Sequence, residues 1–215
     1  MNVLHQFNDF VLLQVSLFAR ATGWLHTPLL DYARYGVVLF GALLLGGLVI
    51  ARHAPARTLA QAGWAGVAVL LALGVNQPIG RLFGEARPYT THPQLLVLAS
   101  RTTDFSFPSD HAVMAGAAAT GLLLVSRRLG LFAVGAALLL AFARVYIAAH
   151  YPWDVLVGLI FGAAVALLGW RMLAAPLTGL TAWLRRQPPI RLVFAEPPFL
   201  PDTPARRSRD RIWST

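Results

Sequence analysis

Apolar runs bounded by arginine recur along this chain, and they constrain its fold more than any other feature. Tyr35–Ala51 ends at Arg52, and Thr58–Gly80 lies between Arg57 and Arg81. Ser109–Ser126 is polar only in its first turn and closes at Arg127 and Arg128. Leu129–Ala149 carries the single charge Arg144, and Val155–Trp170 closes at Arg171. Crossing the hydrocarbon takes about 20 residues, roughly 17–25, so each run suffices once its polar ends sit at the interface. Charged residues make up 13% of the chain, where a soluble domain carries about 25%. The expected fold class is therefore an all-α integral membrane protein, a polytopic bundle of five to six transmembrane helices. Gly158 and Gly162 form a small-xxx-small pair, which predicts close helix packing.

Charge then orients the bundle. All 18 basic residues are arginine, against 9 acids, for a net +9. Such a balance suggests nucleic acid, but the arginines sit in the breaks between spans, so membrane lipids are the expected partners and nucleic acid is not. Five spans place Arg52, Arg57, Arg127, Arg128, Arg171, Arg185, Arg186 and Arg191 on one side, and only Arg81, Arg87 and Arg101 on the other. By the positive-inside rule the first side is cytoplasmic. The loop from Arg81 to Pro108 and the turn His150–Trp153 then face outward together.

Three regions follow: 1–32, 33–172 and 173–215. Within the first, residues 4–19 hold an apolar run, Phe10 to Ala19, too short to span and flanked by Asp9 and Arg20, and an interfacial helix is preferred over a sixth span. It has no basic n-region or A-x-A site, so a removed signal peptide is not expected. The last region, rich in Pro and Arg after about residue 187, is expected to be a flexible cytoplasmic tail. With no cysteine, disulfides and thiolate chemistry are excluded.

Polar residues at a membrane face are costly and mark function. Three clusters share the outward ends of spans: Arg81-Leu-Phe-Gly-Glu-Ala-Arg87-Pro88, Phe107-Pro108-Ser109-Asp110-His111, and Arg144 through His150 to Asp154. Guanidinium forks complement the charge of a phosphoryl group in transfer, a task for Arg87, Arg144 and Arg81. Pro108-Ser109-Asp110 has the form of a helix start, whose free N–H groups and positive dipole end favour the same anion. Two histidines supply the chemistry: one attacks phosphorus as the neutral imidazole, the other protonates the leaving oxygen. Asp154, four residues after His150 with Pro152 at a helix start between them, can hold the tautomer of His150, and His111 fits the acid. Taken singly, these residues have plainer readings. Arg81 could snorkel, Ser109-Asp110 could be an N-cap, Glu85 could neutralise an arginine, Arg101 and Asp104 read as loop polarity, and His5, His26 and His92 as interfacial. The conjunction of Arg144, His150 and Asp154 with His111 and Arg87 on one face is what singles out a site. A lipid or phosphate transporter would instead need polar residues near mid-membrane.

The same residues resemble the type 2 phosphatidic acid phosphatase superfamily, whose pattern is a Lys, six residues and Arg-Pro; then Pro-Ser-Gly-His; then Ser-Arg, five residues, His, three residues and Asp. Arg87-Pro88, Pro108-Ser109-Asp110-His111, and Ala143-Arg144 through His150 to Asp154 match it, over roughly 33–172. The resemblance implies His150 as a nucleophile forming a phosphohistidine, Asp154 as its orienting group, His111 as general acid, and Arg87, Arg144 and Ser109 as phosphate ligands, with no metal or other cofactor. Three positions depart from the pattern. Gly80 stands where the Lys would fall, with Arg81 displaced by one; Ala143 replaces the Ser; and Asp110 replaces the Gly, setting a carboxylate beside an anion. Asp104-Phe-Ser-Phe-Pro-Ser-Asp-His-Ala is similar to the bacterial undecaprenyl-diphosphatase branch associated with bacitracin resistance. That branch implies hydrolysis of a lipid diphosphate to the monophosphate at the outer face of the cytoplasmic membrane. Phosphatases of phosphatidylglycerophosphate, phosphatidate and lipid A are the alternatives.

Overall fold

The computed structural model describes residues 3–187, and every regular element among them is helical. They are α1 (Val3–Ala21), a short turn at Gly23–Leu25, α2 (His26–Ala51), α3 (Ala56–Phe83), α4 (Pro88–Thr91), α5 (Asp110–Val125), α6 (Arg127–Tyr146) and α7 (Pro152–Arg185). The helices α2, α3, α6 and α7 are long and apolar enough to cross a membrane, whereas α5 is a shorter apolar helix. They leave large apolar side chains on the surface, among them Val38, Leu45, Leu70, Leu138, Ile160 and Leu168. Only lipid makes such a surface inexpensive, and the chain is a multi-pass membrane protein.

Helix α5 occupies the middle of the bundle, packed by α2, α3, α6 and α7. Its 16 residues extend about 24 Å at ~1.5 Å per residue. The run Ala115 to Ala119 is wholly small and wholly buried, so neighbouring backbones approach closely. A Cβ added at Gly158 would lie 2.9 Å from the Ala112 Cβ and 3.0 Å from the Ser109 carbonyl oxygen. One added at Gly162 would lie 2.8 Å from Ala117 N and overlap the Val113 carbonyl. The small-residue pair read from the sequence thus seats α7 directly on α5. Trp64 Nε1 of α3 donates to the Ala166 carbonyl of α7 at 2.8 Å and closes a third side.

Several helix ends differ from the hydropathy pattern. Helix α2 begins at His26 rather than Tyr35, taking Asp31 and Arg34 into its first turns. Helix α6 stops at Tyr146, short of Ala149. Helix α7 does not end at Arg171 or at the 172 boundary but continues to Arg185, where Arg185 Nη2 donates to the Arg52 carbonyl at 3.1 Å. A charge ends a hydropathic run without ending a helix. Leu173, Leu177, Leu180 and Leu184 continue an apolar face at spacings of four, three and four, along a cleft shared with Leu59 and Trp64 of α3. The tail from Pro188, with Arg191 and the arginines at 206, 207, 209 and 211, lies outside the described residues.

Helix α1 touches the bundle at one rim only. Asn8 Oδ1 accepts from Trp153 N at 3.0 Å, Ser16 Oγ from Leu96 N at 3.2 Å, and Arg20 donates to the Gln94 carbonyl. Thr22, just beyond its end, bonds the Tyr146 hydroxyl at 2.9 Å. The start of α7, the loop after α4 and the end of α6 all belong to the same end of the bundle.

Candidate active site

The turn from α6 to α7 carries the central residue. Ile147 caps α6, and Ala148 takes a left-handed backbone conformation at φ 59°, which costs an Ala roughly 1–2 kcal/mol. The chain then delivers His150, 2% exposed, to the floor of a cavity of about 410 Å³. Pro152 opens α7 at its first turn, and Asp154 Oδ2 accepts from Tyr151 N at 2.9 Å across that turn. Asp154 is wholly buried behind His150.

Hydrogen bonding fixes the tautomer of His150. Arg144 Nη2 lies 3.2 Å and Arg87 Nη1 3.3 Å from its Nε2. A guanidinium only donates, so Nε2 accepts and the proton sits on Nδ1. Nδ1 in turn donates to the Ser106 carbonyl at 2.8 Å. Asp154 Oδ2 is 3.7 Å from Nδ1 and receives the Ser106 hydroxyl in a short hydrogen bond. Asp154 thus faces His150 at ion-pair distance, while the direct acceptor is a carbonyl the sequence reading did not single out. Ser106, fully buried with its N–H on the Glu85 carbonyl at 2.8 Å, ties the long loop between α4 and α5 to the floor of the cavity. Its backbone role gives no sequence signal.

Arg87 is held by two further partners. Its Nη1 donates to the Ala149 carbonyl at 2.9 Å, while Nε and Nη2 form a fork onto Asp104 at 3.1 and 2.9 Å. Burial pushes the Asp104 carboxyl up, but hydrogen bonds from Thr102 and Arg87 and the Arg87 charge outweigh it, and the group titrates below its ordinary range. Asp104 is therefore more than loop polarity: it is the carboxylate that aims Arg87. His111 and Asp110, in the first turn of α5, line the same cavity together with Arg144, so the N-terminal end of α5 opens on it. Ser109 N donates to the Asp154 carbonyl at 3.2 Å, linking the starts of α5 and α7.

Three candidate phosphate ligands sit elsewhere or are otherwise engaged. Ser109 is fully buried, outside the cavity lining, and its hydroxyl has no partner among the described residues. The Asp110 carboxylate accepts from Asn76 Nδ2 at 2.7 Å and from Gln77 Nε2 at 3.0 and 3.2 Å. As an acceptor already engaged by amides, it tethers α5 to α3 instead of presenting a donor to an anion. Arg81 lies in a neighbouring cavity of about 240 Å³ with Gly80 and Phe107, not on the wall that holds His150. Helix α3 stays regular through Phe83 and ends in left-handed Gly84, so Arg81 keeps the rotation of about 100° from position 80 that one helical step imposes. Position 80 itself faces the Phe107 carbonyl.

Two further features escaped the sequence reading. Asn76 and Gln77 interrupt the longest apolar run, and adjacent amides inside a span are themselves a functional signal. Arg34, just outside the first run, lines the His150 cavity from α2.

Known proteins resemble this chain in sequence and in fold. The undecaprenyl-diphosphatase BcrC of Bacillus subtilis (strain 168) is 30% identical over 151 residues, 68% of this chain and 76% of that protein. The decaprenylphosphoryl-5-phosphoribose phosphatase of Mycobacterium tuberculosis (strain H37Rv) is 35% identical over 134 residues, 60% of this chain and 73% of that one. Among solved structures, a transmembrane PAP2 type phosphatidylglycerolphosphate phosphatase from Bacillus subtilis shares the fold with a TM-score of 0.54 at 20% identity, covering 86% of this chain and 90% of that one. The PAP2 superfamily profile matches residues 61–176, from the second turn of α3 into α7 and across all three clusters, and the chain belongs to that superfamily.

Proposed function

We propose that this protein is a lipid phosphatase that hydrolyses an isoprenoid diphosphate of the undecaprenyl type to its monophosphate and inorganic phosphate. The observation that carries the proposal is the unprotonated Nε2 of buried His150, flanked by the Arg144 and Arg87 guanidiniums in a cavity that His111 also lines. Nε2 attacks the terminal phosphorus with its lone pair. The bond to the bridging oxygen breaks, its electron pair stays on that oxygen, and His111, which takes up its proton once the phosphate anions sit beside it, supplies that proton. Nδ1–H, held by the Ser106 carbonyl with Asp154 behind it, carries the positive charge that develops on the ring. Arg144 and Arg87 complement the equatorial oxygens as charge spreads over them. In the second half, neutral His111 takes a proton from water, the hydroxide attacks phosphorus, and the P–N pair returns to Nε2. Lipid monophosphate and orthophosphate are the products, and His111 ends protonated as it began.

The relative named undecaprenyl-diphosphatase supports the anhydride substrate. The arginine asymmetry supports an active site on the extracytoplasmic face of the cytoplasmic membrane. Helix α1, whose contacts lie at the active-site rim and whose Phe7, Phe10 and Leu17 are exposed, fits an interfacial helix on that face.

Phosphate release from detergent-solubilised protein tests the reading, with undecaprenyl diphosphate, farnesyl diphosphate, phosphatidate and phosphatidylglycerophosphate compared, with and without chelator. Turnover should be highest on the prenyl diphosphates, unaffected by chelator, and lost by a factor of 10³ or more in His150→Ala. Arg81→Ala should stay within twofold of the parent. A His150→Ala protein with normal turnover would refute the nucleophile, and a preference for phosphatidate would refute the substrate class.

A further inference from the structure

Arg34 is an arginine of the cavity that attack on a single phosphate does not use. Leu30, Ala33 and Arg34 of α2 line the polar cavity, whereas Val37, three residues further along the same face, lines a second cavity of about 370 Å³ with Leu73, Gly74 and Met114. The two cavities share Asp110 and His111. Arg34 therefore stands within one helical turn of the place where the polar chamber gives way to an apolar groove. Its guanidinium makes no hydrogen bond or ion pair with any described residue. It lies 5.9 Å from the Tyr35 ring centroid, and Asp31, one turn earlier, does not pair with it.

The partners of the cavity's charged groups sharpen the point. Of the three cavity arginines, Arg87 forks onto Asp104, and the cavity's other carboxylate, Asp110, accepts from the neutral amides of Asn76 and Gln77 and has no hydrogen bond to Arg34. A single phosphoryl group at His150 answers Arg144 and shares Arg87. Arg34 would remain without a polar partner. A lipid diphosphate brings a second anion, and its order is fixed: hydrocarbon, chain-side phosphate, bridging oxygen, terminal phosphate. With the terminal phosphorus at His150, His111 at the bridging oxygen and the chain in the groove beside Val37, the chain-side phosphate falls between His111 and the groove, on the α2 wall.

We propose that Arg34 binds the chain-side phosphate and thereby sets selectivity for anhydrides over monoesters. The assignment rests on the phosphatase reading above. It acts on the leaving group: the oxygens of the departing monophosphate gain charge as the bridge breaks, and the Arg34 guanidinium meets that charge.

The test uses geranylgeranyl diphosphate and geranylgeranyl monophosphate, which differ only in the second phosphate. Arg34→Ala should lower the diphosphate-to-monophosphate ratio of kcat/KM at least tenfold, and Arg34→Lys should restore part of it. A ratio within twofold of the parent, or a parallel loss on both substrates, overturns the role of Arg34 while leaving the phosphatase reading intact. Titration calorimetry with inorganic pyrophosphate and orthophosphate adds an arm that needs no turnover. Arg34→Ala should weaken pyrophosphate at least tenfold more than orthophosphate. A parent protein that binds pyrophosphate through Arg34 yet turns over neither lipid would sink the phosphatase reading and spare the subsite. Equal weakening of both anions would sink the subsite.

Discussion

His150 is kept neutral by where it sits. Burial is the largest cause of its lowered pKa, the charges of Arg144 and then Arg87 add to it, and only the Ser106 carbonyl and Asp104 oppose them. An unperturbed histidine titrates near 6.5, so Nε2 stays unprotonated through the range in which an exposed imidazole would be lost as a nucleophile. The sign for folding is the same: below about 6.5 the unfolded chain gains a proton at this position that the folded chain refuses, so stability falls with pH there. Replacing Arg144 by Gln removes the nearer guanidinium and makes protonation easier. The acid limb of kcat/KM should therefore move to higher pH in Arg144→Gln, whatever the loss in absolute rate, because the ionisation of the substrate is common to both proteins. Superimposable limbs would contradict this electrostatic account. At this scale the sequence was informative where spacing along one helix or turn carries the message, as between Arg144, His150 and Asp154. It was silent on Ser106, which acts largely through a backbone carbonyl, and on Asp104, whose partner lies 17 residues away across an aperiodic loop.

The helix pair α5 and α7 decides whether the histidines meet. His111 rides on the first turn of α5 and His150 stands two residues before α7, so the distance between two backbones sets the separation of the two histidines. That distance is set by glycine: a methyl at Gly162 has nowhere to go against the Val113 carbonyl and Ala117 N. Gly162→Ala should cost on the order of 1–3 kcal/mol, the range for overpacking, and lower kcat as the two helices part. Gly179, on the same helix with nothing within 4 Å of its added Cβ, is the matched comparison. There Ala should stabilise by up to about 1 kcal/mol through helix propensity. Thermal unfolding in detergent alongside turnover reads both, and equal effects at the two glycines would mean that the close approach does not hold the pair. The contact was legible because small residues four apart have one common use in a membrane helix. The helix ends were not, since hydropathy reports where lipid stops, whereas α7 keeps its apolar face on α3 for several turns past Arg171.

At the scale of the molecule, five helices in alternation put every site residue at one end and the densest arginine at the other. Arg144, Arg87, His111 and His150 gather at the rim that also holds α1, whereas Arg52 and Arg185 meet at the opposite rim. The alternation was readable from arginine counts because an odd number of crossings between the clusters would have split them across the bilayer. Arg34 was harder to see, since the hydropathic run began one residue after it. The chain contains no cysteine, so one introduced thiol is a unique reporter of sidedness. Gln94→Cys sits in the exposed loop between α4 and α5 and His53→Cys in the turn between α2 and α3. In intact cells a membrane-impermeant maleimide should label the first and not the second; after lysis both should react. Reversed labelling would keep the fold and the chemistry but turn the cavity to the cytoplasm, and a substrate presented on the outer leaflet would then be out of reach.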